Sequence, residues 1–329
     1  MKRVALSLVL AAGMATSAMA ADMVTKAPPA PAPAPAPAPW DVAISAALMT
    51  DYNFRGITQS NHHASTQAGF EARYTYSPMW QYYAGISGES ISFPNRAAAE
   101  IDLYAGVRPT FDKLALDFGF WYYAYPGGTC FDSFYNTCLP SLVNGNVAKS
   151  NASFYEVYGK ATYTFSDQWA AGIQEWYSPS VANTGSVGWY TVGNVTYTAP
   201  STMFASGWGG YISGDLGYWS LGKSDAFYGE GSLLGAPGVS QAMADAGDPY
   251  KSYWNWDAGF GITYKAFTLD LRYYDTSLNK GDCNAFTSAT NGGGSNNITT
   301  ANPFGVGSNW CSTAYIAKLS FATNLSSIK

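Results

Sequence analysis

Apolar and polar positions alternate with a period of two along much of the chain, which is the spacing of β-strands that have one apolar face. In residues 100–108, for example, Ile101, Leu103, Ala105 and Val107 share one face. A soluble sheet can contain such a strand, so the repetition of the pattern is the stronger signal. We predict twelve strands, at about 41–52, 65–76, 81–91, 98–108, 114–125, 152–165, 169–178, 187–198, 202–220, 252–264, 267–277 and 312–322.

The connections between these strands alternate strictly between short and long. In an up-and-down meander, this alternation places all short turns at one end and all long loops at the other. Outer-membrane barrels have short periplasmic turns, long outer loops and an even number of strands. The sequence therefore predicts an all-β fold: a transmembrane up-and-down antiparallel β-barrel of about twelve strands, with both termini periplasmic. The Gly-rich stretch 202–220 is the critical strand, because its division into two strands would make the number of strands odd.

Composition favours the same class. Of the 329 residues, 47% are hydrophobic, 16% aromatic and only 12% charged, whereas soluble domains carry about 25% charged residues. No apolar run reaches the roughly 18 residues of a spanning helix, and the mean hydropathy is −0.09. The net charge of −5 argues against nucleic acid as a partner.

Aromatic residues gather near the ends of the predicted strands. Such residues form girdles at the two membrane interfaces of outer-membrane barrels. We assign to these girdles Tyr76, Trp80, Trp121, Tyr163, Trp169, Trp176 and Tyr177.

The N-terminal region divides into two segments ahead of the barrel. Residues 1–20 combine Lys2 and Arg3 with a short apolar run and a small-residue cleavage site, which is typical of a secretory signal peptide. Residues 21–39 form a Pro/Ala-rich periplasmic linker, whose extended part covers about 40 Å. This linker either reaches toward the cell wall or is a solvated tail. The outer-membrane barrel occupies residues 40–329, and the expected location is the bacterial outer membrane.

Four cysteines in an exported chain indicate disulfides. Cys130 and Cys138 fall in one predicted outer loop, and Cys283 and Cys311 bracket another. Three pairings are possible, and Cys130–Cys138 with Cys283–Cys311 is the one that links no two loops. A cysteine metal site is the alternative, but the short Cys-x-x-Cys spacing is missing and the chain has only two histidines.

Several segments resemble a known family. "ALMTDYNFRGITQSN", "QAGFEARYTYSPMWQYYAGISG" and "AEIDLYAGVRP" are similar to the TorF-type porin family of proteobacterial outer-membrane proteins, and the similarity covers most of residues 43–200. The most specific motif is Phe54-Arg55-Gly56-Ile57-Thr58-Gln59-Ser60. The resemblance implies an outer-membrane barrel with a pore function and transfers no catalytic residues.

The alternation also assigns charged residues to the lumen. Acidic side chains there exceed basic ones by two, which predicts a mild preference for cations in a narrow pore. The predicted pore-lining residues are Glu71, Arg73, Glu100, Asp102, Arg108, Asp117, Glu156, Lys160, Asp257, Asp270, Arg272 and Lys318.

Two groups of residues could carry catalysis. His62 and His63 lie close to Ser60 and Ser65, and a Ser–His pair would suit a hydrolase; adjacent residues of an extended chain point in opposite directions, however, so an exposed loop pair is favoured. Glu100 and Asp102 share a face and could act as paired carboxylates, but a solvated lumen wall explains them better. We therefore predict that the chain is not an enzyme and has no catalytic residue, no cofactor and no metal.

Three functions remain open. The first is a porin-like channel for passive or weakly selective diffusion of small solutes or ions, because twelve strands should enclose a narrow lumen. The second is a non-conducting surface protein whose long loops, 126–150, 221–251 and 278–311, are adhesive or structural. An outer-membrane hydrolase is the third. The expected partners are outer-membrane lipid and lipopolysaccharide together with small solutes or ions; the solute and the oligomeric state remain open.

Overall fold

The computed structural model describes residues 39–327, apart from 133–146, 226, 229–246, 248 and 296–304. Twelve long strands dominate it, and the helix α1 (Lys280–Thr287) lies in the last long loop. Among the described residues no helix has both the length and the apolar character needed to cross a membrane. The strands are β1 (Trp40–Met49), β2 (Ser65–Ser77), β3 (Trp80–Glu89), β4 (Glu100–Phe111), β5 (Leu114–Ala124), β6 (Phe154–Thr164), β7 (Trp169–Ser178), β8 (Gly188–Thr198), β9 (Trp208–Leu221), β10 (Tyr253–Tyr264), β11 (Phe267–Thr276) and β12 (Ala314–Asn324).

The twelve strands form one closed antiparallel barrel in which each strand pairs with its neighbours in the chain. The barrel closes between β1 and β12, with Ala43 opposite Asn324 and Met49 opposite Lys318. The predicted twelve-stranded barrel is confirmed. The stretch 202–220 contains a single strand, β9, which a one-turn 3₁₀ segment at Ser201–Met203 precedes.

Short turns connect the strands at one end of the barrel. The turns after β4 and β10 contain Asp112 and Lys265, each with φ of 52°; such left-handed positions suit tight hairpin turns. The first and last described segments lie at this end, where Ser326 donates backbone and side-chain hydrogen bonds to Asp41. The predicted signal peptide and all but the last residue of the predicted linker lie outside the described residues.

The outer surface of the barrel is apolar along its length. Ile212, Leu216 and Phe260 expose 62%, 54% and 47% of their surface, as side chains that face lipid would. Aromatic pairs occur near both ends, with Trp208 against Tyr264 at the short-turn end and Tyr218 against Trp254 at the long-loop end.

Two of the predicted girdle residues are not on this surface. Trp121 and Trp176 are buried inside the barrel, with 9% and 5% exposure. Their assignment to a girdle was wrong because closeness to a strand end does not decide the face. Trp121 has the same parity along β5 as Asp117, and Trp176 the same parity along β7 as Gln174, so the two-residue period directs both inward.

The long-loop end is fastened by a disulfide. Cys283 in α1 is bonded to Cys311 just before β12, and both residues are buried. Asn279 caps α1 by accepting hydrogen bonds from the backbone of Gly281 and Asp282. The other predicted bond, Cys130–Cys138, includes a residue outside the described part of the chain.

Candidate functional site

The barrel interior holds the charged residues that the sequence assigns to a lumen. All twelve have inward parity on their strands, and most are buried or nearly so. They do not form one group. One network lies around Glu71 and a second around Arg272. Glu100 and Glu156 contact the first long loop, whereas Asp102 accepts from Ser87 on the wall.

That first loop folds into the barrel instead of outward. Between β1 and β2 the chain makes a small hairpin, which we call the inserted hairpin, with two-residue strands Asn53–Phe54 and Ile57–Thr58. Arg55 and Gly56 at its tip have φ of 52° and 81°, the left-handed values that a tight two-residue turn requires. A Cβ atom at Gly56 would also collide with the Thr276 side chain. Both the backbone conformation and the close packing therefore require glycine at this position.

Arg55 fastens the inserted hairpin to the opposite wall. Its guanidinium is fully buried and donates two hydrogen bonds to Glu156 on β6, at 2.8 and 2.6 Å. Aromatic rings surround it, with Tyr190 and Trp219 centred 4.2 and 4.3 Å from the guanidinium carbon. Tyr253 donates its hydroxyl to the Arg55 carbonyl at 3.0 Å. The aromatic enclosure stabilises the cation and fills this half of the lumen.

An ion-pair network occupies the wall toward the short turns. Glu71 accepts from Arg73 at 2.5 Å and from both terminal nitrogens of Arg108 at 2.8 and 2.9 Å. Arg108 also contacts Asp117, which accepts from the Tyr83 hydroxyl at 2.5 Å. This network joins strands β2 to β5 across the interior.

A second network lies on the other side of the lumen. Arg272 pairs with Asp257 at 2.5 Å and with Asp270 at 3.1 Å, and its remaining nitrogen donates to Ser213 at 2.6 Å. Tyr211 donates to Asp270 at 2.6 Å. Among the described residues, neither Lys160 nor Lys318 forms an ion pair with a carboxylate. The amine of Lys160 lies 4.5 Å from the centre of the Tyr158 ring, and Lys318 donates to the Gln67 amide oxygen at 3.2 Å.

A cavity of about 60 Å³ remains between the network around Arg272 and the inserted hairpin. It is large enough for a few water molecules. Its lining combines the hairpin and its base with acidic, amide and basic wall residues, among them Tyr52, Arg55, Gln67, Asp215, Asp257, Asp270 and Lys318. The part of the lumen beneath the hairpin is therefore polar.

His62 is part of the hairpin base and not of a Ser–His pair. Its Nδ1 lies 2.9 Å from an Asp51 carboxylate oxygen, and its Nε2 lies 2.8 Å from the Asn309 carbonyl oxygen. The Ser60 hydroxyl oxygen lies 2.9 Å from the same Asp51 carboxylate and 2.7 Å from the His63 carbonyl oxygen, so its one proton has two acceptors in reach. Because both ring nitrogens face acceptors, the protonated ring satisfies both contacts, and the hydrogen bond to Asp51 raises the pKa of His62 above its ordinary value of 6.5.

The predicted carboxylate pair is brought together with a third acid that sequence reasoning missed. Glu89 at the end of β3 lies directly opposite Glu100 at the start of β4, and Asp102 lies two residues along. All three are buried, and their carboxylate oxygens lie within 4.8 Å of one another. Such an all-oxygen group has the donors that hard cations prefer.

Comparison with known proteins places the chain in no characterised family. Residues 33–155 match a family model described as a bacterial protein of unknown function, Gcw_chp, and no curated protein matches. Similar solved structures include the NanC porin, at 10% identity and a TM-score of 0.40, and the KdgM porin, at 9% and 0.40; each match covers 85% of this chain and 98% of the other. Similarities of this strength carry no functional argument. The TorF-type designation is not supported, whereas a barrel of the outer-membrane type is.

The prediction that the chain is not an enzyme needs correction. Another similar structure is LpxR from Salmonella typhimurium, at 10% identity and a TM-score of 0.37, covering 85% of this chain and 99% of that one. It stands among the outer-membrane hydrolases. A barrel fold does not by itself show an absence of catalytic activity, so the prediction is withdrawn.

Proposed function

We propose that the protein is a porin-like channel of the bacterial outer membrane, which passes small ions or solutes through a lumen that the inserted hairpin narrows. The observation that carries this proposal is that a loop, and not only the wall side chains, occupies the lumen. In the long-loop half, the lumen is obstructed by a loop hairpin whose tip Arg55 ties to the wall, and a polar cavity lies beneath it. A loop can leave the lumen while the wall stays intact, whereas wall side chains cannot.

The charges of the wall support the same proposal. Burying ionised groups is unfavourable unless they are paired, and apolar residues of similar volume often stabilise an interior as well or better. A barrel whose interior only had to be filled would not need two Arg–carboxylate networks. A solvated path for ions supplies a reason for them.

The environment of the channel follows from the sequence and the surface. We propose export by a signal peptide at residues 1–20, a periplasmic linker at 21–39, and contact of the apolar outer face with outer-membrane lipid and lipopolysaccharide. We also propose a cation preference, from the excess of lumen carboxylates over lumen basic residues. Arginine neutralises several of those carboxylates, so only the excess acts on ions in the lumen.

Planar-bilayer recording on the purified full-length barrel tests this function. We expect a small conductance in KCl and, across a KCl gradient, a reversal potential of the sign that cation preference produces. The preference should fade as salt approaches 1 M, where the Debye length is about 3 Å. A clear anion preference would overturn the lumen assignment.

A non-conducting surface protein is the second candidate, and one observation favours it. The Arg55 guanidinium and the Glu156 carboxylate are both inaccessible to solvent, so no water-filled path touches this ion pair. Absence of conductance in the wild type and also after release of the hairpin would favour this candidate. The loop segments 133–146, 229–246 and 296–304, which would carry adhesion, lie outside the described residues.

A further inference from the structure

Three carboxylates form a compact cluster inside the barrel wall, which we call the Glu89 cluster. It consists of Glu89, Glu100 and Asp102, whose residues expose 2%, 1% and 1% of their surface. Antiparallel pairing of β3 with β4 places Glu89 opposite Glu100 and Ser87 opposite Asp102. Alternation then directs all three side chains to the same side of the sheet.

The hydrogen bonds to the Glu89 cluster come from neutral groups, and the Lys318 amine, which donates to Gln67, attracts Glu89 without forming an ion pair with it. Glu100 accepts from the hydroxyls of Tyr52 and Tyr125 at 2.7 and 3.1 Å, and Glu89 accepts from the Gln67 amide at 2.8 Å. Within the described part of the chain, no arginine, lysine or histidine forms an ion pair with these three acids. Two buried oxygens, Glu89 Oε2 and Asp102 Oδ1, have no well-formed hydrogen bond among the described residues, although the Ser87 hydroxyl interacts with Glu89 and the Trp121 indole N–H with Asp102.

The other lumen acids show how unusual this arrangement is. Glu71, Glu156 and Asp257 each pair with an arginine, as buried carboxylates are expected to do. Three carboxylates so close together repel one another and lose hydration when buried, unless protons or a cation neutralise them. The two oxygens without a well-formed hydrogen bond favour a cation, because each still offers an acceptor site inside the barrel.

We propose that Glu89, Glu100 and Asp102 bind a divalent cation of the calcium class. Two oxygens on one Ca²⁺ at about 2.4 Å can lie no more than about 4.8 Å apart, and every pair of carboxylates in the cluster offers oxygens within 4.8 Å. Mg²⁺, at about 2.0–2.1 Å in a strict octahedron, demands a tighter set. A donor set made only of oxygen disfavours Zn²⁺ and Cu²⁺, which prefer nitrogen or sulfur.

The residues around the cluster connect it to the lumen cavity on one side and to the inserted hairpin on the other. The lumen cavity is lined by Tyr52 and Gln67, each of which bonds directly to one cluster carboxylate. Only the side chains of Tyr52 and Gln67 therefore need to separate a hydrated cation in the cavity from the cluster carboxylates. Tyr52 precedes the inserted hairpin, so the ion stabilises the point where the hairpin meets the wall. This inference does not depend on whether the barrel conducts.

Equilibrium dialysis of the full-length barrel against radioactive calcium tests the proposal. We expect one Ca²⁺ per wild-type chain, and terbium, which occupies calcium sites, should show luminescence sensitised by Tyr52 and Tyr125. Asp102→Asn keeps the shape of the side chain and should weaken calcium binding more than about tenfold. Asp257→Asn, a matched change to a lumen acid paired with Arg272, should bind calcium as the wild type does.

Several results would overturn the proposal. If the wild-type protein binds no calcium at millimolar calcium concentration, the proposal is wrong whatever the variants show. Equal loss of binding in Asp102→Asn and Asp257→Asn would mean that diffuse lumen charge, and not this cluster, attracts the ion. If Asp102→Asn does not fold, Glu89→Gln takes its place, and unchanged calcium binding in that folded variant also refutes the site.

Discussion

Arg55 and Glu156 meet through two parallel hydrogen bonds of 2.8 and 2.6 Å, although 101 residues separate them in the chain. One residue belongs to a loop and the other to the barrel wall, near the start of β6. Because both groups are fully buried, removal of one partner leaves an uncompensated charge, which typically costs about 3–5 kcal/mol. This pair therefore holds the inserted hairpin inside the lumen.

Replacement of the acid should release the hairpin. In Glu156→Gln, Arg55 loses its counter-charge but remains in the chain, and its hydration favours an exposed position. Trypsin, which cleaves after arginine, then reports the release: we expect cleavage after Arg55 at least about ten times faster than in the wild type, where the side chain is buried. Mass spectrometry of the fragments identifies the cleaved bond.

The matched control for this experiment is Glu175→Gln. Glu175 lies on the outer face of β7 and accepts a hydrogen bond from Thr191, so it does not contact the hairpin. Its variant should resist cleavage after Arg55 as the wild type does. If Glu156→Gln also resists cleavage, the ion pair does not hold the hairpin.

Protonation of His62 should tighten the hairpin base at low pH. The folded-state pKa of His62 is raised, first through its hydrogen bond to Asp51, so its stabilising effect is complete below about pH 6.5 and is lost as the pH rises through the folded-state value. Amide hydrogen exchange in residues 58–63, corrected for intrinsic rates, should be slower at pH 5.5 than at pH 8.5.

The neighbouring histidine supplies the control for the pH experiment. His62→Gln should remove the pH dependence of exchange, whereas His63→Gln should retain it. A pH dependence that persists in His62→Gln would assign it to another group.

Loss of the Cys283–Cys311 disulfide should loosen its loop more than the barrel. In a free chain, a loop closed by residues 28 positions apart is worth about 3–4 kcal/mol in the chain-entropy model. Here the β11–β12 ladder already holds the loop ends close together. In the Cys283→Ser/Cys311→Ser variant we expect rapid proteolysis within 278–311 and an almost unchanged unfolding temperature of the barrel.

Non-reducing peptide mapping checks the pairing itself. The expected fragments join Cys283 to Cys311, and Cys130 to Cys138. A fragment that joins Cys138 to Cys283 would show that the predicted pairing is wrong.

Arginine on the lipid face should be far more harmful than arginine in the lumen. Phe260 is exposed on the outer face of β10, whereas Thr263 has inward parity on the same strand. Phe260→Arg should destabilise the folded barrel by about 2–4 kcal/mol if it lies near the bilayer midplane; Thr263→Arg should have a much smaller effect. Urea unfolding from lipid vesicles measures both, and equal losses would contradict the assignment of the two faces.

The period of two explains why the wall could be predicted from the sequence. Glu71, Asp117 and Arg272 could be assigned to the interior without knowing their partners, because a strand has only two faces. The same rule would have corrected Trp121 and Trp176, whose parity matches that of lumen residues. Strand number followed in the same way, because short and long connections alternate.

The contents of the lumen could not be predicted in this manner. The period of two does not show whether a loop folds inward. The partners of Arg55 also lie far from it in the sequence, at Glu156, Tyr190, Trp219 and Tyr253. The motif around Arg55 was visible as a family resemblance but suggested no role. Glu89 was missed because its position opposite Glu100 depends on the register of two strands joined by a long loop.

Single-channel conductance of Glu156→Gln beside the wild type and Glu175→Gln tests the central claim most directly. If the inserted hairpin obstructs a conducting lumen, Glu156→Gln should show a conductance several times larger than the other two proteins at the same KCl concentration. Trypsin cleavage after Arg55 in the same preparation verifies that the hairpin has been released. Equal conductances, or no conductance in any of the three after verified release, would contradict the account.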